Sequence, residues 1–147
     1  MQSDKFTALV RNAIGAAQSA ALAANHQKLT AEHVLAALLK DDNMTVKMLL
    51  AKAGADSASL SALLKAGLDK FPQVTGSGAG QLQLDADLAR IFAAVEAEAK
   101  ARHDQFIAVD LLLLAMTKST GSLGKILKKA GVEPAPLGAA IDEMRKG

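Results

Sequence analysis

The residues that could do acid–base or metal chemistry in this chain are its three histidines and the acids beside them. His103 precedes Asp104, a dipeptide that metal phosphohydrolases use, and Glu32 precedes His33. A phosphohydrolase site needs further His and Asp ligands at set positions, and three histidines are too few to supply them. Adjacent side chains on a helix point apart, which does not favour Glu32 and His33 as an acid–base pair. We therefore predict no metal site and a hydrogen-bonded, partly buried role for His33.

Other catalytic and cofactor-binding chemistries lack the residues that they need. The chain has no Cys, which excludes a thiol nucleophile, a disulfide framework and a Cys-ligated metal. The glycine-rich stretch from Gly76 to Gly80 contains no Lys, so it does not match the phosphate loop of an ATPase. We therefore expect this chain to be no enzyme and to bind no cofactor.

Charge and hydropathy argue against nucleic-acid and membrane partners. A net charge of +2, 3% aromatic residues and no arginine-rich stripe offer little to hold phosphates or stack on bases. No apolar run approaches the roughly 20 residues of a membrane helix. Residues 1–5 also lack the layout of a secretory signal. We expect a cytoplasmic chain that binds neither nucleic acid nor membrane.

The elements that position these side chains are predicted to be helices. The chain has 147 residues, and 50% of them are hydrophobic, mostly Ala and Leu. These two residues lead the helix scale, whereas strands favour Val, Ile, Thr and aromatic residues. The length suits one compact domain. We therefore expect residues 1–147 to form a single all-α domain.

The chain also matches itself without a gap when it is shifted by 77 residues. Lys52–Gly54 falls on Lys129–Gly131, and His26 falls on His103. The shift predicts a first repeat over about 1–70, a linker loop over about 71–82 and a second repeat over about 83–147. We expect the two repeats to pack with pseudo-twofold symmetry, and the two histidines to play one shared role after each long helix.

Each repeat is predicted to contain four helices, because apolar residues recur at helical spacing between capping signals. Thr30 and Asp56 are placed as N-caps, and Pro134 suits the first turn of the last helix. Gly54 and Gly131 are expected to end helices in the left-handed conformation. Phe71–Gly80 is expected to be an exposed loop. The prediction is therefore one eight-helix domain.

Several short runs together resemble the Clp amino-terminal repeat, and within it the ClpB disaggregase branch. They are the runs Glu32–Leu39, Phe71–Gly78, Asp104–Ile107 with the helix opened by Asp110, and Ala139–Gly147. The resemblance implies the client-engaging amino-terminal domain of a cytoplasmic, hexameric, ATP-driven disaggregase that cooperates with the DnaK chaperone system. ATP and Mg would then be bound by the ATPase ring of the full-length protein. The isolated domain is expected to be monomeric.

The same resemblance implies three substrate-binding residues, Thr7, Asp104 and Asp110, where Asp110 replaces the usual Glu. They would lie beside an apolar groove between the repeats, and would accept hydrogen bonds and positive charge from unfolded or aggregated polypeptides. Each also has a plain structural interpretation. Thr7 suits an early helical turn, Asp104 a solvated loop, and Asp110 the positive end of a helix dipole.

Two other functions remain open from the sequence. The domain could dock an adaptor for a protease unfoldase of the ClpA or ClpC type. The chain could instead be a stand-alone hydrolase that uses the His and Asp residues, in which case purified protein would carry stoichiometric metal.

Overall fold

The described residues of the computed structural model, 3–40, 44–75 and 80–146, form eight α-helices. Those of the first half are α1 Ala8–Ala23, α2 Ala31–Lys40, α3 Met44–Lys52 and α4 Ser57–Asp69. Those of the second half are α5 Ala86–Ala101, α6 Val109–Thr117, α7 Ser122–Lys129 and α8 Pro134–Lys146. A 3-10 turn, Ser3–Lys5, and two-residue strands, β1 Lys28–Leu29 and β2 Gln83–Leu84, complete the regular structure of these ranges. The all-α prediction is confirmed.

The helix boundaries follow the predicted caps, because each cap satisfies a backbone group that the helix leaves open. The Thr30 hydroxyl accepts a hydrogen bond from the His33 backbone N–H at 3.3 Å, one turn into α2. The Asp56 carboxylate caps α4 in the same way, and α8 begins at Pro134. These starts were predictable because a cap depends on residues within one turn of each other.

The core is continuous across both halves and centres on α6. Leu111–Leu114 are all buried, as four consecutive leucines predict for a helix that is surrounded on most sides. Helix α6 packs against α3 of the first half and against α5, α7 and α8 of the second. The two halves therefore share apolar contacts and are not two separate cores.

The two halves correspond through two shifts, which corrects the gapless match of 77 residues. Buried residues of α1 and α5 pair at a shift of 78: Val10 with Leu88, Ala13 with Ile91, Ala17 with Val95, and Ala21 with Ala99. From α3 and α7 onward the shift is 77, and Gly54 (φ 87°) corresponds to Gly131 (φ 84°). The stretch from the start of α6 to the end of α7 is one residue shorter than its counterpart, and this difference changes the register.

The corrected register changes the partner of each histidine after the long helices. At a shift of 78, His103 corresponds to Asn25, and the two have left-handed backbones with φ of 62° and 60°. Asn and His are among the few non-glycine residues that adopt this conformation. His26 corresponds instead to Asp104. The predicted equivalence of His26 and His103 is therefore wrong, and the residue shared after each long helix is the one at positive φ.

A reciprocal exchange of backbone hydrogen bonds joins the halves. Strand β1 pairs in parallel with β2, and the Asp85 N–H donates to the Leu29 carbonyl at 3.0 Å. Phe6 and Ile107 form the matching bridge at a shift of 78, and the Thr7 N–H donates to the Ile107 carbonyl at 3.1 Å. In each half, the segment before the long helix pairs with the loop before the short helix of the other half. The two pairings are equivalent under the shift of 78, as a pseudo-twofold relation between the halves requires.

The first part of the linker, residues 71–75, is exposed at three of its five residues, as predicted, and is packed at Phe71 and Val74. The Phe71 ring lies 5.5 Å from the His26 ring and 5.7 Å from the His33 ring, measured between centroids. The Val74 N–H donates to the Asn25 carbonyl at 2.7 Å. Packing between the aromatic ring and the two imidazoles is stabilising, so this part of the chain packs against the first half. Residues 76–79 of the predicted loop lie outside the described ranges.

Candidate functional site

Thr7 lies at the start of α1 and is its N-cap. Its hydroxyl accepts a hydrogen bond from the Val10 N–H at 3.4 Å, while its backbone N–H reaches the carbonyl of Ile107. The side chain is half-buried. Thr7 thus has the structural role that its sequence position indicates, and its backbone is also tied to the loop that carries Asp104 and leads into Asp110.

Asp104 lies in the loop between α5 and α6, Asp110 lies in the first turn of α6, and Arg145 of α8 binds both. Arg145 Nε and Nη2 donate to the two oxygens of Asp110 at 2.9 and 3.1 Å. Arg145 Nη1 donates to Asp104 Oδ1 at 3.1 Å, and Nη2 lies 3.0 Å from Asp104 Oδ2. All four carboxylate oxygens are therefore engaged by one guanidinium. We call Asp104 and Asp110 the acidic pair.

Sequence reasoning missed Arg145 as part of this arrangement. Arg145 is separated from Asp110 by 35 positions and from Asp104 by 41, and no local pattern marks contacts of that range. The available signal was weak, since a basic residue in the last turn of a helix is already favoured by the dipole. The structure brings Asp104 and Asp110 together and places Thr7 against the same loop, through Ile107.

The electrostatics of the acidic pair follow from these contacts. The hydrogen bonds of Asp110, and then those of Asp104, raise the pKa of Arg145 further above its ordinary value. Two carboxylates against one guanidinium leave one net negative charge. The side chains of Asp104 and Asp110 are 19% and 17% exposed, and that of Arg145 is 32% exposed. Water and ligands therefore reach this ion cluster at the surface.

An exposed aromatic ring belongs to the same loop. Phe106 lies between the two acids in sequence and is 53% exposed, whereas the neighbouring Ile107 is buried. Burial of such a ring against a ligand stabilises a complex by removing apolar surface from water. The arrangement can thus offer negative charge, hydrogen-bond acceptors and one apolar contact to a ligand.

A profile of the Clp repeat (R) N-terminal domain matches residues 5–134.

The chain belongs to this Clp N-terminal domain family.

Curated relatives of the Clp N-terminal domain are ClpB chaperones. The Chaperone protein ClpB of Rhizobium meliloti is 41% identical over 148 residues, an alignment that covers all of this chain and 17% of the relative. That of Vibrio cholerae is 34% identical over 147 residues, with the same coverage. The chain thus spans about a sixth of the length of these relatives, and the matched part is their N-terminal domain, not their catalytic ATPase part.

Solved structures support the fold. The Hsp104 N-terminal domain from Candida albicans superposes with a TM-score of 0.83 at 20% identity, covering 96% of this chain and 91% of that one. A complex of the ClpV N-domain with a VipB peptide superposes with a TM-score of 0.71 at 16% identity, covering 91% and 82%. The eight-helix architecture of the Clp N-terminal domain is therefore confirmed.

The Clp N-terminal domain carries a second polar region, related to the first by the pseudo-twofold axis. At a shift of 78, Thr7, Asp104 and Asp110 correspond to Asp85, His26 and Glu32. These last three line a single pocket of about 340 Å³ between the halves. Glu32 is only 3% exposed and accepts a hydrogen bond from the Ser122 hydroxyl of α7. The counterpart of half-buried Asp110 is thus a fully buried carboxylate that joins α2 to α7.

His26 and His33 form a buried hydrogen-bonded chain beside that pocket. The Thr30 backbone N–H donates to His33 Nδ1 at 3.0 Å, so Nδ1 carries no proton in the neutral ring. His33 Nε2 then donates to His26 Nδ1, 2.8 Å away. Burial, and then the charge of a protonated His26, lower the pKa of His33 to about 4. His33 is therefore a neutral, hydrogen-bonded side chain packed under Phe71, in agreement with its predicted role.

A wide groove of about 1140 Å³ lies within the first half of the Clp N-terminal domain, along α1, α2 and α4. Small residues of α1 line it, including Ala13, Ala16 and Ala20, and Leu68 of α4 lines it too. The apolar groove predicted between the halves stays a prediction, since the pocket that lies there is small and includes charged residues such as Lys28, Glu32 and Asp85 in its lining. Within the described ranges, no cluster of three or more His, Asp or Glu could hold a metal, and no helix is long and apolar enough to cross a membrane.

Proposed function

We propose that this chain is the client-engaging N-terminal domain of a ClpB-type protein disaggregase. The observation that carries the proposal is its 33–41% identity to ClpB chaperones over the full chain. The acidic pair and the exposed Phe106 supply surface chemistry that suits an unfolded polypeptide. Such a client presents unpaired backbone N–H groups, cationic side chains and apolar side chains together.

The binding mechanism follows from that chemistry. Asp104 and Asp110 accept hydrogen bonds from client N–H groups or attract client Lys and Arg. Phe106 covers an apolar side chain, and Thr7 holds the start of α1 against the loop that carries them. Each contact is shallow, so the affinity of one domain is weak. Six copies in a ring would multiply weak binding into strong capture.

The whole protein would be a cytoplasmic, hexameric, ATP-driven machine that works with the DnaK chaperone system. ATP and Mg would be bound by its ATPase modules, since the 147 residues of this chain contain no phosphate-loop motif. The present chain would deliver clients to that ring. Its repeats would be about 1–70 and 83–147, joined through about 71–82.

A second candidate function is the docking of a dedicated adaptor or partner peptide, as in a protease unfoldase of the ClpA or ClpC type. It is supported by the fold, which is shared with the N-terminal domain of ClpD from Arabidopsis thaliana and with the ClpV N-domain in complex with a VipB peptide. An adaptor-docking domain would bind one partner and ignore unrelated unfolded chains.

The test is a titration of the domain with a permanently unfolded polypeptide, such as reduced and alkylated casein. The double variant Asp104→Asn/Asp110→Asn should bind it several-fold more weakly, because each amide keeps the shape and loses the negative charge. Asp142→Asn is the matched control, since Asp142 is an exposed acid on α8 that binds Arg102 and not Arg145. Circular dichroism checks that all variants fold. Equal affinity in every variant would contradict the site, and no binding by the wild type would contradict the function.

A further inference from the structure

The acidic pair is already occupied in the free domain, by an arginine of the same chain. The four donor–acceptor distances from Arg145 to Asp104 and Asp110 lie between 2.9 and 3.1 Å. Asp110 Oδ1 also accepts the Leu111 backbone N–H at 2.7 Å. A client cation cannot take the same oxygens in the same geometry while Arg145 holds them.

Arg145 is placed where its release disturbs little else. It is the second-to-last residue of α8. Terminal turns fray at low cost. The buried residues of α8, Leu137, Ala140 and Ile141, precede Arg145 by four positions or more, and Met144 beside it is only partly buried against the core. Loss of the ion pair therefore leaves the packed part of α8 in place.

Solvent reaches this ion cluster, so one of its partners can be exchanged. The Arg145 side chain is 32% exposed, which lets a client guanidinium approach the carboxylates. Bidentate geometry and two acids make this pair stronger than a simple surface ion pair, so a client must offer contacts of equal quality. A client arginine that presents the same planar fork meets the same four oxygens. The exchange then replaces one guanidinium by another, and the remaining client contacts decide the outcome.

We propose that Arg145 is a built-in competitor for the acidic pair: it fills the site in the free domain, and a cationic side chain of the client displaces it. This regulation rests on the function proposed above. Client binding therefore frees the last turn of α8 while the rest of the domain stays folded. The device also filters clients, since a segment without Lys or Arg has nothing to exchange for Arg145.

The experiment compares two extended peptides, identical leucine-containing decamers that carry one central Arg or one central citrulline. Arg145→Gln should bind the Arg peptide roughly three- to tenfold more tightly than the wild type, because one competing ion pair is gone. It should bind the uncharged citrulline peptide with unchanged affinity. Arg102→Gln is the matched control, because Arg102 also ties α8 to the α5 region, through Asp142 and Glu98, without touching the acidic pair.

A second measurement reports on displacement itself. When the Arg peptide is added to the wild type, the backbone amides of residues 144–146 should shift toward their positions in free Arg145→Gln. Weaker binding of the Arg peptide by Arg145→Gln would show that Arg145 positions the acids, and unchanged binding would show that it does not compete. Either result overturns the proposal. If the Asp104→Asn/Asp110→Asn variant still loses casein binding, the proposed function survives that failure.

Discussion

At the scale of single residues, the acidic pair shows what the printed sequence could and could not tell. The positions of Asp104 and Asp110 followed from a family resemblance, and the structure places both at one surface cluster. The sequence did not predict their partner Arg145, because a contact across 35 to 41 positions depends on how helices pack. The same holds for Glu32, whose partner Ser122 is 90 positions away and reaches it because α7 packs on α4 and α6.

His33 gives a residue-scale prediction on pH. Its pKa is lowered to about 4 in the folded chain, against about 6.5 in an unfolded one, so the unfolded state binds more protons between these values. The stability that neutral His33 contributes should be complete above pH 6.5 and should fall as the pH drops toward 4. The loss should approach about 3 kcal/mol, from 1.36 kcal/mol for each pKa unit. Urea unfolding at several pH values measures it.

The control for that experiment is His103→Asn, which removes an exposed histidine and keeps a residue suited to positive φ. It should leave the slope of stability against pH unchanged. His33→Gln should lower stability at neutral pH and flatten the slope between pH 6.5 and 4. A slope that persists in His33→Gln would assign the effect to other groups.

At the scale of elements, the helices were predictable because their signals are local. Thr30, Asp56 and Pro134 mark helix starts through contacts within one turn. The register that relates α1 to α5 was not predictable, because α1 buries mostly alanines, and an alanine-rich helix matches its counterpart almost equally well in several registers. Strands β1 and β2 were missed for a related reason, since two residues carry no alternating pattern.

Replacing two of the glycines by alanine should change the stability of the domain in opposite directions. Gly131→Ala should destabilise the domain by about 1 kcal/mol, because φ is 84° and an L side chain is strained there even in open space. Gly15→Ala should stabilise it by about 0.5–1 kcal/mol, because Gly15 lies inside α1 with no atom near the added methyl. Thermal unfolding measures both. Two shifts of the same sign would contradict the assigned backbone conformations.

At the scale of the whole molecule, the halves depend on each other. The core crosses between them at α6, and each half supplies the backbone partners that the other lacks. The pseudo-twofold relation was predictable from the repeat, because duplication preserves a helix pattern. The exchange of strand segments was not predictable, because it arises only where the two halves meet. The sequence of one repeat carries no sign of it.

Ile107→Ala tests that dependence. Ile107 is buried in the second half and pairs with Phe6 of the first, so its truncation should cost about 2–5 kcal/mol. Amide exchange should accelerate in α1 as well as in α6. Phe106→Ala, at the exposed neighbour, should change stability by less than about 0.5 kcal/mol. Faster exchange confined to the second half would mean that the halves unfold separately.

The reciprocal pairing also describes the domain as a fused homodimer. Two identical copies of one four-helix unit, each lending its leading segment to the other, would make a closed isologous dimer. Fusion into one chain removes the requirement that both copies stay alike. Of two equivalent positions, one could then become the buried, hydrogen-bonded Glu32, while the other became the partly exposed Asp110. Joining two copies into one polypeptide thus lets two equivalent positions differ, one buried at Glu32 and one reached by solvent at Asp110.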